Sequence, residues 1–135
     1  MIVVNNNLNE FEKYKRMPVW RENGFELYEC TDDYDKALAA LQKSGCAFML
    51  IFNKPPVLEA SRIIKLISYK VREAEAIVIS PYDNTENMRE CFLAGAVDYL
   101  CEPVSETRIK EALLRAKKQY EKSEESREYR LAAKE

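Results

Sequence analysis

Between Ala76 and Val104 the chain reads AIVISPYDNTENMRECFLAGAVDYLCEPV, a run that leaves few folds open. Ala76-Ile77-Val78-Ile79 is an apolar strand ending in the small hydroxyl residue Ser80. Pro81-Tyr82-Asp83-Asn84 carries turn chemistry. Met88, Cys91, Phe92 and Ala94 recur at helical spacing, and Gly95 stops that helix. Val97 to Leu100 is a second short strand, broken at Glu102-Pro103. The unit is strand, helix, strand, with a side chain presented at the carboxyl end of each strand. Open α/β sheets place their sites there.

The remainder of the chain repeats this alternation. Met1-Ile2-Val3-Val4 has the short continuous apolar character of a buried parallel strand, and ends at Asn5-Asn6-Asn7. Leu8, Phe11, Tyr14 and Met17 predict a helix that Pro18 ends. Phe25 to Cys30 mixes apolar and charged residues as a half-exposed edge strand does. Thr31-Asp32-Asp33 is an N-cap signal, followed by the stripe Tyr34, Ala37, Leu38 and Leu41 and a stop at Ser44-Gly45. Cys46 to Phe52 is a seven-residue apolar run, a central strand leading into the loop Asn53-Lys54-Pro55-Pro56. Val57 to Tyr69 predicts a helix packed on the sheet. Ser105 caps a last helix whose buried face is Ile109, Ala112, Leu113 and Ala116. From Lys118 onward the sequence is almost wholly polar, with Tyr120, Tyr129 and Leu131 as its larger apolar side chains.

Composition removes several classes of function. At 135 residues the chain has the size of one domain, and its 47% hydrophobic content suffices for a core. Histidine is absent, which excludes histidine catalysis and most transition-metal sites. Three glycines leave no Gly-rich phosphate loop, and the net charge of −2 argues against nucleic-acid binding by this chain. The four cysteines, Cys30, Cys46, Cys91 and Cys101, form no CxxC and read as reduced thiols of a cytoplasmic protein. With no histidine and no adjacent cation, Cys101 reads as inert. No apolar run reaches membrane-spanning length.

The run from Ala76 to Val104 resembles the last third of a response-regulator receiver domain, the phosphoacceptor module of two-component signalling. The matching residues are Ser80 at a strand end, Ala94-Gly95-Ala96, the strand aromatic Tyr99, and a residue followed by Pro at Glu102-Pro103. Trp20 followed by Gly24-Phe25-Glu26 resembles receivers joined to AraC-type DNA-binding domains. The resemblance implies a three-layer α/β fold, a doubly wound five-stranded parallel sheet of flavodoxin-like order 2-1-3-4-5. It extends over residues 1–118, with 119–135 as a charged helical extension or linker.

The resemblance also implies a site, and here the chain departs from it. Receivers hold Mg²⁺ with two acids after the first strand, where Asn5 and Asn6 stand. Mg²⁺ dehydrates reluctantly and is usually held by carboxylates. The phosphoacceptor Asp ends the third strand. Counting back from Pro56 puts Phe52 in its place, and a loop one residue shorter puts Asn53 there; neither can form an acyl phosphate. The family's Lys is replaced by Glu102. The plainer reading takes Asn5-Asn6-Asn7 as a polar loop and Glu102 as a solvated turn residue. Against it, the changes are coherent: without the acids, the Lys has no partner and a Glu is tolerated.

The expectation is a degenerate, non-enzymatic receiver of a bacterial response regulator. It would act in signal transduction or transcription regulation through protein contacts, with no cofactor or metal. Ser80 and Tyr99 occupy the switch positions, and Lys54 is expected to pair with Glu102. Partners are another protein or a second copy, weakly, through the last helix; no nucleic acid or membrane is expected. The alternatives are a sensor binding a small ligand in the same crevice, and a small flavodoxin-like enzyme. The missing nucleophile–base pair argues against the enzyme.

Overall fold

The computed structural model describes residues 1–27 and 29–133, with the side chains of 127 and 129–133 outside the description. Five strands alternate with helices: β1 (Ile2–Val4), β2 (Glu29–Thr31), β3 (Phe48–Phe52), β4 (Glu75–Ser80) and β5 (Asp98–Cys101). All pair in parallel, in the order β2-β1-β3-β4-β5. The doubly wound order that the resemblance implies is the one observed.

Alternation along the strands divides the core in two. Val3, Leu50, Phe52, Ile77, Ile79 and Leu100 face one layer, built by α1 (Leu8–Lys15), α2 (Val19–Glu22) and α6 (Glu106–Ala133). Ile2, Val4, Met49, Ile51, Val78 and Tyr99 face the other, built by α3 (Tyr34–Ser44), α4 (Ala60–Lys70) and α5 (Thr85–Ala94). Central strands buried on both faces read as continuous apolar runs, which is why β3 and β4 were legible. The helices begin on side-chain caps: Asn7 accepts from Glu10 N–H, Asp33 from Lys36 N–H and Asn84 from Asn87 N–H. Gly45 (φ +71°) and Gly95 (φ +114°) close α3 and α5 in the left-handed conformation.

Three expectations need correction. The first helix stops before Pro18 as expected, but at Lys15 and not at Met17, and Pro18 then N-caps a further short helix, α2, whose Trp20 is buried and donates its indole N–H to Tyr14 O at 2.8 Å. The edge strand is confined to Glu29–Thr31, while Tyr28 lies outside the described residues. Phe25 N–H donates instead to Trp20 O, so Phe25 and Leu27 enter the core beside α2. Leu8 and Phe92, read as apolar stripe positions, are exposed; Phe11, Tyr14 and Cys91 carry the burial.

Ser105 accepts from Arg108 N–H at the start of α6, and Ile109, Ala112, Leu113 and Ala116 form its buried face as expected. The helix continues through Lys118 to Ala133. Tyr120 rests on Phe48, ring centroids 5.3 Å apart, so packing reaches beyond Lys118. The Tyr129 and Leu131 side chains, expected in self-association, lie outside the described residues. Among the described residues, no helix is long and apolar enough to cross a membrane.

Candidate functional site

The carboxyl ends of β1, β3, β4 and β5 converge on one crevice, and the positions singled out in the sequence surround it. Asn5, directly after β1, is buried. Its Oδ1 accepts from Asn7 N–H at 3.0 Å and its Nδ2 donates to Glu10 Oε1 at 2.9 Å. Asn6 is exposed. The triple asparagine is therefore a turn locked onto the first turn of α1, with only Asn5 facing inward.

Phe52 and Asn53 take different roles. Phe52 is buried on the α1 side, its ring set edge-on to Tyr14 at 5.0 Å between centroids. The Asn53 carboxamide is the group that sits beside Ser80. Asn53 is 2% exposed. Its Nδ2 lies 3.4 Å from both Ser80 Oγ and Asn87 Oδ1, and its Oδ1 accepts from Ala60 N–H at 3.1 Å. Backbone pairing explains the placement: Asn53 N–H donates to Ile79 O, extending the β3–β4 ladder by one residue.

Ser80 is fully buried. Its hydroxyl accepts from Asn53 and from Tyr82 N–H at 3.1 Å. Tyr99, 1% exposed, donates its hydroxyl to Tyr82 O at 2.8 Å. Ser80 and Tyr99 thus hold the same residue of the β4–α5 loop from both sides. Burial raises the Tyr99 phenol, with Ser80 and Asn53 opposing part of that rise.

The charged residues do not pair as expected. Lys54 Nζ lies 2.9 Å from Glu10 Oε1, not on Glu102, with both side chains about three-quarters buried. Glu102 instead accepts from the Tyr14 hydroxyl at 3.0 Å. The reason lies in α1. Glu10 and Tyr14 are one turn apart on one face, so Glu10 meets the β1 and β3 ends while Tyr14 meets the β5 end. Burial, then the Glu102 charge and hydrogen bond, push the Tyr14 phenol well above its usual range.

Glu10, Tyr14 and Asn87 were missed as site residues. Glu10 carried a signal: it stands three residues after the Asn7 cap, where a capping-box carboxylate belongs. Tyr14 looked like an ordinary core position, and Asn87 carried no signal. The four cysteines are free thiols. Burial pushes Cys91 up to about 11 and raises Cys101, so neither is activated.

The residues present do not fit the Mg²⁺ that receivers bind. Asn5 offers a carbonyl already turned to Asn7, and the one carboxylate beside it, Glu10, holds the Lys54 ammonium. Mg²⁺ requires near-octahedral oxygen ligation, usually with carboxylates. Among the described residues, no three His, Cys, Asp or Glu side chains are grouped to hold a metal.

No family model matches the chain, and no curated protein matches it. Solved structures do. The receiver domain of AraT, a response regulator from Geobacillus stearothermophilus, superposes with TM-score 0.74 at 20% identity, covering 91% of this chain and 95% of that one. The receiver domain of Francisella response regulator 1452 gives 0.69 at 22% identity, over 90% and 96%. A chain of the CheX–CheY–BeF3–Mg²⁺ complex from Borrelia burgdorferi gives 0.71 at 13% identity, over 84% of each. At these identities the likeness establishes the fold: this chain is folded as a response-regulator receiver domain is.

Proposed function

We propose that this chain is a receiver-like signalling module that has given up aspartyl phosphorylation and works through protein contacts. Its setting would be a bacterial response-regulator pathway, transcription control included, in the cytoplasm. One observation carries the reading. Beside Ser80 stands the carboxamide of Asn53, with both its polar atoms engaged by protein groups, and this supports reading Asn53, not Phe52, as the residue at the receiver acceptor position. A carboxamide is no nucleophile toward phosphorus, whereas phosphoryl transfer to a receiver requires a carboxylate, a metal and a charge-balancing cation.

The rest of the crevice supports it. In place of a metal ion, the crevice holds the tethered ammonium of Lys54, neutralised by Glu10. In place of the family's lysine it holds Glu102, capped by a tyrosine hydroxyl. The Ser80 hydroxyl contacts donors rather than a base, which speaks against hydrolytic chemistry. Tyr99 is already inward with nothing to draw it there, so the module would present one fixed face to its partner.

Fluorine NMR with beryllofluoride and Mg²⁺, the additives of the Borrelia CheX–CheY complex, tests the reading. No protein-bound resonance is expected, and no mass increase with acetyl phosphate. A stoichiometric adduct in the crevice would overturn it.

A further inference from the structure

A second groove lies at the opposite edge of the sheet, where β4 and β5 begin. It has a volume of about 350 Å³ and is lined by Glu75, by the backbone turn at Gly95, Ala96 and Val97, and by Arg115, Lys118, Gln119 and Lys122 of α6. The three cations stand three and four residues apart, so they share one face of the helix. Arg115 is engaged by Asp98. Lys118 and Lys122 are exposed and form no ion pair with any described residue.

Glu75 is the unusual member. It is 6% exposed and has no side-chain hydrogen bond or ion pair with a described residue. The little exposure it has reaches the carboxyl oxygens, which are therefore open to the groove and not sealed in the core. Its backbone position is set by register, because Glu75 N–H donates to Ala47 O at the start of the β3–β4 ladder. Glu75 lines the groove together with Lys118 and Lys122.

We propose that this groove is a binding site for a small dianionic oxyanion of the phosphate or sulfate type, held by Lys118 and Lys122 with Glu75 and Gln119 as hydrogen-bonding floor. In its acid form the Glu75 carboxyl is a donor and suits an anion; ionised, it repels one. Burial alone raises this carboxyl to about 7, so both forms are reached near neutrality. The charged groups that face it are Arg115, Lys118 and Lys122 from α6 and, through Arg115, Asp98 of β5. Because the site is assembled from α6, the β4 start and the turn before β5, occupation would fasten the last helix to the sheet.

Sulfate is the probe, because it stays dianionic from about pH 5.5 to about pH 8.5, across the Glu75 transition. Titration of the full chain by amide NMR should move the Gly95–Val97 and Lys118–Lys122 signals saturably, and more tightly at the acid end. The K118A/K122A double variant changes only exposed side chains, so it should fold and lose the response. Glu75→Gln keeps a donor at every pH and should bind with no pH dependence. A phosphorylated monosaccharide competing with sulfate would identify a metabolite site, whereas binding by the free ion alone would identify an inorganic one. Shifts that are unsaturable, that persist in K118A/K122A, or that keep their pH dependence in Glu75→Gln overturn the proposal. The beryllofluoride outcome is independent of all of these.

Discussion

The Tyr14 hydroxyl donates to Glu102 Oε2 at 3.0 Å, joining the first helix to the end of the last strand across 88 residues of sequence. The phenol comes from α1 and the carboxylate directly follows β5. Its ring is fixed by Phe52, so the hydroxyl reaches Glu102 without a flexible stem. The charge arrangement of the crevice is thus built by α1 as much as by the strand ends.

Tyr14→Phe keeps the ring packing and removes only that hydroxyl. Denaturation in urea at pH 7 should show a loss of about 0.5–1.5 kcal/mol. The phenol is raised in the folded state, so its contribution is fully present below the ordinary tyrosine value and is lost as pH rises through the folded one. The gap between wild type and variant should therefore stay constant up to about pH 10 and narrow above it. An unchanged variant at pH 7 would mean that the bond does not form in solution.

Glu10 serves Lys54 and Asn5 through the same oxygen. Removing Glu10 thus strips a partner from a buried carboxamide as well as an ammonium, whereas removing Lys54 costs only the ion pair. A partly exposed pair contributes at most about 1 kcal/mol. Glu10→Ala should be the more destabilising single change, by about 1 kcal/mol or more. A double-mutant cycle should return a small Lys54–Glu10 coupling; equal effects of the two single changes would contradict this arrangement.

Asn53→Asp is the obvious attempt to restore a phosphoacceptor, and it should fail. The new carboxylate loses the Nδ2 donation to Ser80 and Asn87 and faces the Asn87 carbonyl oxygen, keeping as donors only Ala60 N–H and a rotated Ser80 hydroxyl. A destabilisation of about 1–3 kcal/mol is expected, with no beryllofluoride adduct, because Asn5 and the Lys54–Glu10 pair still offer no metal ligation. An adduct in the single variant would show that the crevice needs only the acceptor.

The sheet was legible because buried parallel strands write themselves as apolar runs: Met1–Val4, Cys46–Phe52 and Ala76–Ile79 needed no tertiary information. The crevice positions followed from strand ends. What stayed hidden were choices made between elements. Phe52 and Asn53 could be separated only by strand parity, which sends one side chain to Tyr14 and the other to Ser80. Lys54 could reach either carboxylate by sequence distance, and the face of α1 decided for Glu10. The short β2 depended on Phe25 closing back on Trp20, a contact that no alternation pattern encodes.

Glu75 makes stability depend on pH in a direction opposite to ordinary acid denaturation. Its folded pKa, about 7, lies above the unfolded value of 4.5. Its contribution is therefore complete below the unfolded value and is lost as pH rises through the folded one. Glu75→Gln should be more stable than wild type at pH 8 and should flatten the profile between pH 4.5 and 7. A variant tracking wild type across that window would place the carboxyl in water.

The last helix sets the final expectation. Ile109, Ala112, Leu113 and Ala116 bury its first turns, and Tyr120 adds one contact further on, against Phe48. A chain ending at Lys118 loses that contact, so it should unfold at lower urea, by about 0.5–1.5 kcal/mol for the aromatic pair. A chain ending at Glu124 keeps it and should match the full length in stability. Past that point the residues are good helix formers, but an isolated helix this short is marginal in water. A second copy of the chain is the partner expected to steady it. Sedimentation should show weak, concentration-dependent association of the full chain, absent when residues after Glu124 are removed. Monomeric behaviour of both at high concentration, with the helix still visible by circular dichroism in the full chain, would assign its steadying to something other than self-association.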